Sequence, residues 1–154
     1  MSAQRCCFVL WGEQCDEVAA VLFITNLRAV GLRVWVVGIG GKRNNGAHGL
    51  AFVTDMALDE ALPLASQTAA VIIPGRIEQW VHFLNDPRLV ELLTDCVDHQ
   101  AQIVMAESLR SPQVTLAQWG LQFLQGRIVL YPSGTILHAF TQSFAAHLGR
   151  NNDG

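Results

Sequence analysis

Residues 102–120, QIVMAESLRSPQVTLAQWG, decide how the rest of the chain is read. After Gln102 the apolar residues Ile103, Val104, Met105 and Ala106 suit a fully buried strand, polar ESLRS breaks the run, and Val114, Leu116, Ala117 and Trp119 resume at helical spacing. The pattern predicts a strand, a tight turn and a helix. In α/β proteins such a turn lifts one side chain off the carboxyl edge of the sheet, where helix N-terminal amides can hold an anion or a developing oxyanion. Ser108 is the residue placed there.

With 154 residues, 51% of them hydrophobic and 15% charged, the chain has the size and apolar content of one globular domain. Glu13, Asp16, Arg28 and Arg33 interrupt the apolar N-terminal region, so no run reaches the roughly 18 residues that span a bilayer. No signal peptide is expected, because the start lacks a basic segment followed by an apolar core and a small-residue cleavage site. The net charge is −3 and the cations are scattered, Lys42-Arg43 being the one adjacent pair, which leaves no electrostatic footprint for nucleic acid. Cys6, Cys7, Cys15 and Cys96 have neither CxxC nor Cys/His ligand spacing. They are expected as free thiols in a cytoplasmic protein, with no metal site and no cofactor.

In chain order, residues 6–11 (CCFVLW) read as a central strand. A helix over residues 16–30 carries Val18, Val21, Leu22 and Leu27 as its apolar stripe, with Asp16 and Glu17 in the first turn and Gly31 past the end. Residues 33–37 (RVWVV) complete a β-α-β unit with a short crossover, the unit of a parallel sheet. Residues 38–49 hold five glycines and two asparagines, hence a loop or hairpin. The GIGGK within it fits neither the dinucleotide fingerprint nor the phosphate loop. Residues 50–53 read as a short strand, LDEAL (58–62) as a helical turn, and AVII (70–73) as a strand stopped by Pro74-Gly75. A helical stretch bearing Trp80, Val81, Phe83 and Leu84 follows, and Asp86-Pro87 starts a further helix. RIVLY (127–131) is a strand, and Ser133 or Gly134 opens a last helix that ends at Gly149. One domain, 1–149, with a frayed tail, 150–154, accounts for the chain.

This order of parts resembles the ThiJ/PfpI family of the class I glutamine amidotransferase-like superfamily. The residues that carry the resemblance are RAVGLRVWVVG (28–38), LDEAL, AVIIPG (70–75), DPRLVELL (86–93), IVMA (103–106) running into Ser108, and SGT (133–135) before a long helix. It implies a flavodoxin-like three-layer α/β/α sandwich with a mostly parallel central sheet, and a homodimer. It also implies a site built from a cysteine on the nucleophile elbow, an acid on the first helix, amides after a Pro-Gly-Gly turn, and often a histidine after the elbow helix. Here Ser108 stands at the cysteine's place, Ala19 at the acid's, and the turn reads Pro74-Gly75-Arg76; the segment that would carry the histidine is deleted.

Serine needs a positioned base before it can act as a nucleophile. His138, at the start of the last helix, is the base expected by topology, while His48, His82, His99 and His147 read as surface or capping residues. Asp16 and Glu17 could reach the pocket or could simply stabilise a helix N-terminus. Arg76 and Arg110, both in turns after strand ends, suit an anion through their forked donors, or could neutralise Glu78 and Glu107. Cys15 is the one thiol expected near the pocket. Trp11, Trp35, Trp80 and Trp119 are expected in the core or at a dimer seam. The leading expectation is a non-catalytic or weakly active protein with a pocket for a small anionic metabolite, formed by Arg76, Arg110, Ser108 and neighbouring groups. The alternatives are a Ser108-dependent hydrolase or lyase, with the amides of Gly75 and Leu109 as oxyanion donors, and a protein-interaction module. A histidine or carboxylate bonded to Ser108 would favour the hydrolase.

Overall fold

The computed structural model describes residues 5–40, 44–108, 116–117 and 120–153. Six parallel strands form one sheet: β1 (Cys6–Trp11), β2 (Arg33–Gly38), β3 (Met56–Ala57), β4 (Thr68–Ile72), β5 (Gln102–Ala106) and β6 (Ile128–Tyr131), in the order β3-β2-β1-β4-β5-β6. The helices are α1 (Glu17–Ala29), α2 (Leu58–Ala61), α3 (Ile77–Trp80), α4 (Pro87–Asp98) and α5 (Leu137–Asp153). This is the flavodoxin-like α/β fold that the family resemblance implies, built on the parallel sheet that the β-α-β opening predicts. The central strands β1 and β4 are buried along their whole length, which is why they read as unbroken apolar runs.

Two of the helix starts read from the sequence have side-chain caps, whereas the last helix opens through a 3-10 turn, Gly134–Ile136, that Ser133 does not cap with its side chain. Asp16 Oδ1 accepts the Ala19 amide at 3.2 Å, and Asp86 Oδ1 accepts the Arg88 amide at 3.0 Å with Pro87 in the first turn. Gly31, at φ +88°, turns the chain from α1 into β2.

Four local expectations are corrected. The buried face of α1 is Ala19, Ala20, Phe23 and Leu27; Val18 and Val21 point outward, at 63% and 40% exposure. The small residues at 19 and 20 let the helix close on the sheet. The strand expected over residues 50–53 does not form. Ala51 makes an isolated antiparallel bridge to Asn45, while Asp55 takes the β2 edge with its carboxylate on the Val36 amide (2.7 Å) and its own amide on the Val36 carbonyl (2.8 Å), so pairing starts at Met56. The stretch after Pro74-Gly75 divides into the four-residue α3 and a 3-10 turn, Val81–Asn85. Finally, α5 runs through Gly149 to Asp153. Gly149 is a packing glycine: a Cβ there would sit 3.1 Å from Val30 Cγ2, at the end of α1.

Helix α5 seals the α1 side of the sheet. Phe23 meets Phe140 and Phe144 edge-on, and Asn26 Nδ2 donates to Thr141 Oγ1 at 3.0 Å. Leu137, Phe144 and Leu148 are buried, whereas Ile136 is 61% exposed. Among the described residues no helix is long and apolar enough to cross a membrane.

Candidate functional site

Strand order reverses between β1 and β4, so the connections leaving their carboxyl ends diverge and open a crevice. The Asp16 amide donates to the Pro74 carbonyl at 2.9 Å and ties the two connections together at that point. A cavity of about 290 Å³ lies there, lined by Gln14 and Asp16 after β1, Gly75, Arg76 and Gln79 after β4, Glu107 after β5, Tyr131 and Ser133 at β6, and by Ala47 and His48.

Its floor is a relay of hydrogen bonds. The Gly75 amide donates to the Tyr131 hydroxyl at 2.7 Å, and that hydroxyl donates to Asp16 Oδ2 at 3.2 Å. Tyr131 is 1% exposed, and its phenol is pushed well above its ordinary pKa by burial, with the nearby Asp16 carboxylate acting in the same direction. It is thus a neutral O–H that accepts from Gly75 and donates to Asp16. Gly75 has φ +137°, and a Cβ would lie 2.9 Å from Gln79 Oε1, so only glycine fits this turn.

Ser108 does not line this cavity. Its hydroxyl donates to Glu78 Oε1, on α3, while Glu78 Oε2 is buried with no hydrogen-bond partner among the described residues. A nucleophile elbow is a strained strand-to-helix turn that exposes its hydroxyl; among the described non-glycine residues positive φ occurs at Gln14 and Gln100, and Ser108 is not one of them. His138 is exposed on the first turn of α5, and no hydrogen bond joins it to Ser108.

Glu17 turns away from the cavity. Only 7% exposed, it accepts the amides of His48 (2.6 Å) and Leu50 (2.5 Å) and faces His48 Nδ1 at 3.1 Å, so it anchors the glycine-rich loop that forms one wall. Burial opposes its ionised form, but those hydrogen bonds outweigh burial and hold its carboxyl below the usual range. Asp16 and Glu17, adjacent in sequence, therefore serve different structures.

Arg76 is exposed on the cavity rim and forms no ion pair among the described residues, so the expected neutralisation of Glu78 or Glu107 does not occur through it. Arg110 and Leu109 lie outside the described residues, as does Trp119. Cys15 is fully buried behind the cavity; burial pushes its thiol up to about 12 despite the Gly12 amide that donates to its Sγ at 3.1 Å. It is not a thiolate nucleophile.

A larger open cleft, about 970 Å³, borders Gly38, Phe52, Asp55, Met56 and Arg88. Its charged side chains already have internal partners: Asp55 holds the Val36 amide, Glu60 the Ala57 amide, and Arg88 is paired with Asp86. The smaller cavity at the strand-order reversal is the candidate site.

No protein-family model and no curated protein matches the sequence. Its similarity to known proteins lies in the fold. Drosophila melanogaster DJ-1beta matches with a TM-score of 0.75 at 14% identity, over 97% of this chain and 94% of that one. A ThiJ/PfpI domain protein from Brachyspira murdochii gives 0.70 at 16% identity, over 97% and 99%. A two-domain protein from Anabaena variabilis, with DJ-1/ThiJ/PfpI-like and ferritin-like domains, gives 0.69 at 17% identity over 94% of this chain; the chain spans about half of it, 48%. The molecule is therefore an α/β sandwich with its cavity at the strand-order reversal. More particularly, it has the fold of the DJ-1/ThiJ/PfpI structures.

Proposed function

We propose that this chain is a divergent ThiJ/PfpI-family protein that binds a small molecule with an anionic group at the carboxyl edge of its sheet, and that it is non-catalytic or at most weakly active. The observation that carries this reading is the bond from the Gly75 amide to the Tyr131 hydroxyl, 2.7 Å long. An oxyanion hole needs donors aimed into empty space where charge will develop; here one of the two expected donors already points at a fixed side chain. The Arg76 guanidinium, without an ion pair among the described residues, is the group offered to an anion. A homodimer belongs to the same reading, with exposed Val21 on α1 as apolar surface for a seam, and the four free, buried thiols fit a cytoplasmic setting.

The hydrolase reading has one observation in its favour, the Ser108 to Glu78 hydrogen bond, because a carboxylate there is a base within reach. Against it, the bonded hydroxyl stands outside the cavity that would hold the substrate. The two readings separate with an alkyl fluorophosphonate, which phosphonylates activated serines. Expected at neutral pH is no adduct on Ser108, the treated protein keeping the intact mass of the untreated one, as treated Ser108→Ala also does. An adduct that Ser108→Ala abolishes would establish the nucleophile and overturn the non-catalytic reading.

A further inference from the structure

Both signs of charge line the one cavity. Arg76 brings a guanidinium, Asp16 and Glu107 bring carboxylates, and no salt bridge joins Arg76 to a carboxylate among the described residues. His48, the other ionisable group facing the cavity besides Tyr131, is bonded to Glu17. Such separated charges constrain the ligand. A simple anion drawn to Arg76 would enter beside two like charges, and a neutral ligand would strip water from all three groups without replacing it. Asp16 has capacity left, since a carboxylate offers about four acceptor sites and the Ala19 amide and Tyr131 hydroxyl take two. Gln14, on the same wall, is held at φ +67°, a conformation costly for a side-chain-bearing residue and concentrated at ligand clamps.

We infer that the ligand is a small zwitterion whose anionic group pairs with Arg76 and whose ammonium is held between Asp16 and Glu107. This rests on the cavity being a binding site, as proposed above, and it narrows the ligand class from an anion to a molecule with both charges. No bond is made or broken; the carboxylates stand where the ammonium of an amino acid would be recognised.

The test uses probes matched in length and shape: 4-aminobutyrate, butyrate and butylammonium, with alanine, propionate and ethylammonium as the set with closer charges. Each is titrated into the ¹⁵N-labelled full chain, and the Gly75, Arg76 and Ala106 amides are followed. Expected is that one zwitterion binds at least tenfold more tightly than both of its single-charge analogues. Arg76→Gln is expected to reduce it to the level of the amine, and Glu107→Gln to weaken it towards the level of the carboxylate; both residues are exposed, so both variants should keep the fold, which their amide spectra report. Butyrate or propionate binding as tightly as its zwitterion would overturn the inference and leave the anion site standing. Equal binding of the amines, or no perturbation of these amides by any probe at tens of millimolar, would overturn it as well. The fluorophosphonate result is independent of all these outcomes, so failure of the ligand class and failure of the non-catalytic reading are told apart.

Discussion

Tyr131 is the chain's one tyrosine, and its hydroxyl makes two bonds at once, to the Gly75 amide and to Asp16. Tyr131→Phe keeps the ring and its edge contact with Phe23 but strands a buried amide. The expected loss is about 1–3 kcal/mol in urea denaturation at neutral pH, and a variant as stable as wild type would contradict the relay. The thiols give a second check at this scale. Burial pushes Cys7, Cys15 and Cys96 up to about 12, so a disulfide reagent at pH 8 is expected to react only as fast as the protein unfolds, and an immediate burst would place a reactive thiol where none is expected. Glu17 gives a third. Its folded pKa is depressed, so the stability it contributes is complete above the ordinary glutamate value of about 4.3 and is lost as pH falls through the lowered folded value. The stability gap between wild type and Glu17→Gln should therefore be full at neutral pH and close on acidification below about pH 4; a gap independent of pH would assign Glu17 a packing role alone.

The glycine-rich loop between β2 and β3 is held as a unit by Glu17, whose carboxylate collects the amides of His48 and Leu50. Gly46 makes that closeness possible: a Cβ there would overlap the Glu17 side chain and lie 2.9 Å from Trp11 Cη2. Gly46→Ala is expected to cost about 1–3 kcal/mol and to broaden the amide signals of Ala47 and His48, whereas an unchanged melting curve would mean the loop gives way freely. Composition identified these residues as a loop, yet nothing local connects them to Glu17, which is 31 residues from His48. The same limit explains Gly149, whose place late in the last helix suits a cap while its actual neighbour is Val30, at the end of α1. On α1 the branched Val18 and Val21 suggested the buried side, but contact with the sheet selects small Ala19 and Ala20, a matter of close approach that apolarity does not encode.

Across the whole molecule, every strand but β3 and the parallel character were legible because each central strand is a short apolar run between turn signals, and the order of runs is what carried the family resemblance. The cavity was legible only as an address, the carboxyl edge near Ser108. Gly75, Arg76, Asp16 and Glu107 do meet there, but Tyr131 reaches Asp16 across 115 residues, and Glu78 claims the serine from 30 residues away. An apolar strand ending in the chain's lone tyrosine was the available signal, since a buried phenol requires a partner. Although α5 continues to Asp153, Arg150 and Asn151 are exposed, so deleting residues 150–154 is expected to change stability by less than about 1 kcal/mol; a larger loss in urea denaturation would make the last turn part of the core. The most direct test of the non-catalytic reading is a crystal structure that resolves side-chain rotamers at the carboxyl edge. Expected are the Tyr131 hydroxyl on the Gly75 amide and the Ser108 hydroxyl outside the cavity. A Ser108 hydroxyl turned into the cavity beside an unoccupied Gly75 amide would contradict that reading and restore the hydrolase.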